Sequence, residues 1–148
     1  MAQFARPDLD TNNVDAYTDQ GGGSTNLYTT IDEVSFSDAD YIRTVTDPST
    51  DVIVFRLSDV TDPVSSVNHV LRVRAGTDQA AGGNPVNLTA QLRMTYVSEG
   101  AQGTLIATLS QAPISDGSFT TYTYTLSGAE ADAITDYTAL FLRITLTI

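Results

Sequence analysis

Cysteine is missing from this 148-residue chain, and with it every disulfide, thiolate metal site and cysteine nucleophile. Lysine is missing too: all seven basic residues are arginine, set against fifteen aspartates and three glutamates, for a net charge of −11. That balance argues against a nucleic-acid backbone or an anionic membrane as the main partner. A single histidine, His69, cannot build a multi-histidine metal centre. Tryptophan is absent, which leaves tyrosine to supply any aromatic face for a sugar ring. No 18 apolar residues run together, and the opening residues contain no apolar h-region, so neither an anchored nor an ordinary secreted protein is expected. These exclusions leave one soluble, non-enzymatic domain as the expectation.

Residues 1–26 differ from the rest. They hold Asp8, Asp10, Asn12, Asn13, Asp15 and Asp19, then Gly21, Gly22, Gly23 and Ser24. After Met1 their only sizeable apolar side chains are Phe4, Leu9, Val14 and Tyr17, and no period of 2 or 3.6 links those four. The stretch therefore reads as an extended N-terminal arm that reaches at most about 85 Å. The triple glycine reads as its flexible hinge to a body spanning residues 27–148.

The body is written with a period of two. Val86, Leu88, Ala90, Leu92, Met94 and Tyr96 point one way, and Asn87, Thr89, Gln91, Arg93 and Thr95 the other. Leu140, Leu142, Ile144, Leu146 and Ile148 repeat the pattern against Phe141, Arg143, Thr145 and Thr147. Shorter versions place Ile53, Phe55 and Leu57, then Leu71, Val73 and Ala75, then Leu105, Ala107 and Leu109, then Tyr122, Tyr124 and Leu126 on inner faces. Fainter candidates near Leu27–Ile31 and Tyr41–Val45 bring the strands to about eight. Turn chemistry separates the runs, at Asp47-Pro48, Asp62-Pro63, Gly82-Gly83-Asn84-Pro85, Glu99-Gly100 and Asp116-Gly117. One short helix is expected near 128–135, because Ser127 and Glu130 have capping-box spacing. Many short strands without a βαβ pattern predict an all-β, antiparallel β-sandwich, jelly-roll-like.

Little in the sequence points to catalysis. His69 heads a strand with Leu71 and Val73 in phase and reads as a half-buried structural residue, and no Gly-x-Ser-x-Gly elbow marks a serine among the twelve. The aspartates lie mostly in turns or the arm, where backbone bonding already explains them. Asp8, Asp10 and Asn12 stand at positions 1, 3 and 5 of a calcium-loop count, with Asp19 at position 12. Asn13 replaces the glycine of position 6 and no helix precedes the loop, so calcium stands beside a solvated polar arm as the alternative, and no other cofactor is expected. Asp32, Glu33, Asp38 and Asp40 form a second acidic cluster with the same two readings. Arg56, Arg72, Arg74, Arg93 and Arg143 all fall on expected outward faces together with Phe141, Ile106 and Val70. Either these arginines line a contact between subunits or they pair with neighbouring aspartates.

The segment Leu27-Tyr28-Thr29-Thr30-Ile31-Asp32-Glu33 followed by Asp38-Ala39-Asp40-Tyr41-Ile42 resembles the opening of small β-sandwich proteins from tailed-bacteriophage structural regions. The strands Val70–Ala75 and Tyr122–Leu126 and the turn Ala131–Tyr137 extend the likeness over most of 27–148. Within that group the chain is similar to capsid decoration (cement) proteins. The resemblance implies a virion protein on the outer capsid surface, synthesised in the host cytoplasm. Its partner would be the major capsid protein, and its own state a homo-oligomer, a trimer being favoured. In that setting Phe4, Leu9 and Tyr17 would anchor the arm and Arg6 would clamp it, and removing residues 1–26 would leave a folded body. Tail or fibre components, and carbohydrate-binding jelly rolls, share the same rhythm and stand as alternatives.

Overall fold

Ile53, Phe55 and Leu57, with Leu140 and Leu142, must bury one face of a sheet, and in the computed structural model that face organises the molecule. The structure describes residues 3–13, 17–44, 47–78 and 83–148; the expected positions Val14, Asp15, Val45 and Gly82 lie outside them. Nine strands run through the described residues: β1 Pro7–Asn13, β2 Thr18–Asp19, β3 Ile42–Arg43, β4 Asp51–Leu57, β5 Val70–Ala75, β6 Asn87–Met94, β7 Thr104–Gln111, β8 Thr120–Thr125 and β9 Leu140–Thr147. A helix, α1 Gly128–Asp132, precedes β9. The main sheet has the order β1-β4-β9-β6-β7, and two-stranded ribbons β5-β8 and β2-β3 stand apart from it.

All strand pairs are antiparallel, and three of them nest: β4 with β9, β5 with β8, and β6 with β7. A long hairpin rolled up this way puts the first and third pairs in one sheet and the second pair in the facing layer. This is the winding of a jelly roll with its second sheet cut to two strands. The fold is the expected all-β sandwich.

The two-stranded layer covers only half of the main sheet. Leu71, Val73, Tyr122, Tyr124 and Leu126 pack over Leu88, Ala90, Leu92, Leu109 and Leu142. Over the β4 and β9 half, Ile53, Phe55, Ile144 and Leu146 are covered by Tyr17, Leu27, Tyr28, Ile31 and Ile42. Tyr17 is 2% exposed and Leu27 fully buried, and each such side chain contributes roughly 1.5–3 kcal/mol when removed from water.

The expected division at residue 26 therefore does not hold. Residues 7–13 are an edge strand of the main sheet, and residues 17–42 supply half of its cover. The apolar groups of this stretch show no period because caps, and not strand alternation, aim them inward. Asn13 clamps Tyr17, donating from Nδ2 to its carbonyl at 2.9 Å and accepting its N–H at 2.8 Å. The Tyr17 hydroxyl donates to the Asp51 carbonyl at 3.0 Å. Asp10 accepts the N–H groups of Leu27 and Tyr28 at 2.7 and 2.8 Å. That carboxylate starts a 3-10 helix at Leu27–Thr30, where the alternation had suggested a strand; Asn26 turns the chain into it at φ 55°. The three glycines are a tight turn and not a hinge. Asp19 accepts from Gly21 and Gly23 through its side chain and from Gly22 through its carbonyl, and a Cβ on Gly23 would lie 2.6 Å from Asp19 Oδ2.

Two local irregularities break the expected alternation. Thr95 adopts φ 61°, so Tyr96 leaves the inner face of β6 and packs with Val52, Val54 and Phe141 on the opposite side of the sheet. A register shift between Leu92 and Arg93 turns Ile106 into the core and leaves Leu105 46% exposed, the reverse of the expected pair. The capping box is present as expected: Glu130 donates its N–H to Ser127 Oγ at 3.3 Å, and Ser127 N–H donates to Glu130 Oε2 at 2.7 Å.

Two outcomes test the N-terminal cover. Deleting residues 1–26 abolishes the cooperative thermal transition followed by circular dichroism, in contrast to the folded body expected from sequence. Asp10→Ala, which leaves two buried-end N–H groups unpaired, lowers stability by about 1.5–3 kcal/mol in urea titrations.

Candidate functional site

The candidate calcium ligands do not converge. A strand holds its chain extended, so Asp8, Asp10 and Asn12 spread along β1 without curling round one point. Asp8 forms a bidentate pair with Arg56 at 2.9 and 2.7 Å, Asp10 caps the 3-10 helix, and Asp19 holds the glycine turn. Asn12 donates to the Tyr96 hydroxyl at 3.0 Å. Among the described residues no three His, Asp or Glu side chains form a group that could hold a metal ion. In the second acidic cluster, Asp38 binds Arg74 and Asp40 accepts from Gln20. Arg74 holds the Asp38 carboxyl below its usual range.

Of the expected arm contacts, Phe4 and Leu9 stay exposed, and the Arg6 guanidinium lies over the Phe4 ring at 5.3 Å. Tyr17 is core and offers no side chain to a partner.

The arginines divide. Arg56, Arg74 and Arg143 pair with Asp8, Asp38 and Glu99, and Arg74 also stacks on Phe36 at 4.3 Å. Arg93 was expected on an open face but is 9% exposed, held under the hairpin loop that joins β6 to β7. Arg72 is exposed with neither ion pair nor hydrogen bond among the described residues. Phe141 is half-buried against Tyr96, ring centroids 5.8 Å apart, and is not open apolar surface.

The sharpest electrostatic feature is the group under that loop. Register places Gln91 opposite Arg143 and Arg93 opposite Phe141, so two guanidiniums share the outer face of adjacent strands. Glu99 answers them, accepting from Arg143 at 2.7–3.1 Å, from the Tyr96 hydroxyl at 2.9 Å and from Gln102 at 2.9 Å. Arg93 donates to Gln91 Oε1 and to the Gln102 carbonyl. The Arg143 hydrogen bonds hold the Glu99 carboxyl below the usual carboxylate range, against the opposing effect of burial. Burial, and then the Arg143 charge, lowers Arg93; burial raises Tyr96. Both Glu99 oxygens, the Tyr96 hydroxyl and Gln91 Oε1 are engaged, so the network locks the loop to the sheet. Sequence reasoning read Glu99 only as a turn residue. The available signal was its place in the one turn joining the strand of Arg93 to its neighbour, with Arg143 on the same outward face.

Two open surfaces stand out among the described residues. The first leads into the outer ribbon, where Val64 is 91% exposed, Val67 65% and Val70 40%, with unpaired Arg72 next in phase. The second is a cleft of about 770 Å³ at the β2-β3 end. Its walls carry Tyr41 and Phe119, centroids 5.6 Å apart, its floor Ile114 and Leu146, and its rim Arg43 and Asp78.

His69 Nε2 lies 2.8 Å from the Tyr137 hydroxyl, and no serine hydroxyl bonds either ring nitrogen among the described residues. It is half-buried, as expected. Comparison with family models, curated proteins and solved structures finds no match to this chain.

The Glu99 shift has a definite sign. Its folded value lies below the unfolded one of about 4.3, so its stabilisation is complete above that pH and is lost as pH falls through the folded value. Glu99→Gln is expected to cost roughly 1–3 kcal/mol near neutrality and to make the acid limb of the urea midpoint against pH shallower than in the parent protein.

Proposed function

We propose that this protein is a non-enzymatic structural component of a tailed-phage particle, a decoration protein that docks on the outside of the head as a small homo-oligomer. The observation that carries the reading is the run of exposed Val64, Val67 and Val70 beside an unpaired Arg72 at the entrance to the outer ribbon. Apolar side chains interspersed with arginine, which sheds water more readily than lysine, are what buried contact surfaces use. Arg56, Arg74 and Arg143 are already paired within the chain, which leaves Arg72 free to meet a partner at this patch. The residues that resemble phage sandwich proteins, Leu27–Ile42 and Val70–Ala75, supply the covering lid and the ribbon strand itself. Exposed Phe4 and Leu9, with half-buried Arg6 over the Phe4 ring, lie at and just before the β1 edge and extend the contact.

A second reading, a carbohydrate-binding module, is favoured by the cleft alone. Tyr41 and Phe119 offer aromatic faces above an aliphatic floor, flanked by an arginine and a carboxylate suited to hydroxyl groups.

The test is co-sedimentation with shells assembled from the major capsid protein. The double substitution Val67→Asp and Arg72→Glu, both at exposed positions, is expected to lower shell binding at least about tenfold, a loss of 1.4 kcal/mol or more, with an unchanged melting curve. Full-strength binding by this variant defeats the decoration reading, and glycan-array binding abolished by Tyr41→Ala would replace it with the second.

A further inference from the structure

The five-stranded sheet ends in β1 on one side and β7 on the other, and the two edges are built differently. β1 opens with Pro7, carries Asp8 and Asp10, and slips register twice against β4. Proline, charge and irregularity are the devices by which an edge refuses a further strand. β7 has neither proline nor glycine nor a charged side chain in its eight residues, Thr104 to Gln111. Its one register shift lies near its start, and Ala107–Gln111 pairs evenly with β6.

In an antiparallel ladder alternate residues direct their N–H and C=O groups away from the neighbouring strand. On β7 those groups meet no backbone or side-chain partner among the described residues. Helix α1 lies against β7, yet its capping bonds run to Ser127 and Tyr124 and none reaches the strand.

We infer that β7 is a two-fold seam, at which β7 of a second copy pairs antiparallel and joins two five-stranded sheets into one. The occupant follows from charge and closure. A chain of net charge −11 repels its own copy over most of its surface. Self-pairing of β7 brings together a stretch of about 27 Å whose own side chains include no carboxylate, so no like charges face each other from strand to strand. Exposed Leu105 adds apolar surface at the end of the seam. Pairing also occupies the open edge of each five-stranded sheet and leaves the two blocked β1 edges at the ends of the joined sheet, so that sheet stops at two copies and does not run on as a filament.

The experiment combines light scattering of the full-length protein with hydrogen exchange of the β7 amides. A dimer is expected in which consecutive amides across Ala107–Gln111 are all protected. Thr108→Lys with Ser110→Lys sets like charges across the axis and should weaken the dimer at least about tenfold. It should also return alternate β7 amides to fast exchange, with the thermal transition retained at low protein concentration. A monomer, or a trimer or larger assembly with alternate β7 amides still fast, overturns the inference. So does protection that arises only when a different protein is added. Because the Val67 and Arg72 patch belongs to the facing ribbon and its entrance loop and shares no residue with β7, loss of shell binding without loss of the dimer, or the reverse, separates the two proposals.

Discussion

One apolar face sets the terms for everything else. Ile53, Phe55, Ile144 and Leu146 would lie open to water if the sandwich consisted only of its two wound layers, because β5 and β8 are too few to span five strands. The chain meets this by folding its own first third back over the gap, with Tyr17 and Leu27 as the largest plugs. The consequence is that a segment rich in aspartate, asparagine and glycine is structural. Its polar side chains are the means: Asp10, Asn13 and Asp19 each satisfy backbone groups that the irregular path would otherwise leave unpaired.

That use of acids as local braces also accounts for much of the charge. Of the acids on the face and edges, Asp8, Asp38 and Glu99 answer arginines, while Asp10, Asp19 and Asp136 answer nearby N–H or hydroxyl groups. A surface built this way presents few free cations. Where one remains, as at Arg72, its setting among exposed valines is distinctive.

The sandwich was legible in the alternation of Leu88, Ala90 and Leu92 and of Leu140 and Leu142, and α1 in the Ser127–Glu130 spacing. Both signals are local and need no knowledge of partners. What escaped were events with no periodic signature. A single left-handed residue at Thr95 sends Tyr96 to the other face, and one register shift exchanges Leu105 and Ile106. The covering role of residues 17–42 escaped because its few apolar groups are aimed by caps. The Glu99 network escaped because its members meet only once β6 and β9 are in register. The arginine pattern held both expected readings at once, three pairing at home and one left open.

Strand order has a kinetic side. β4 sits between β1 and β9, so the earliest strand and the latest flank the same neighbour. Until residues 140–147 are in place, β4 has one partner and β6 lacks the ladder that joins it to the rest. Contacts so distant along the chain form slowly and together, which makes assembly of this sandwich an all-or-none event that no shorter stretch of it can rehearse.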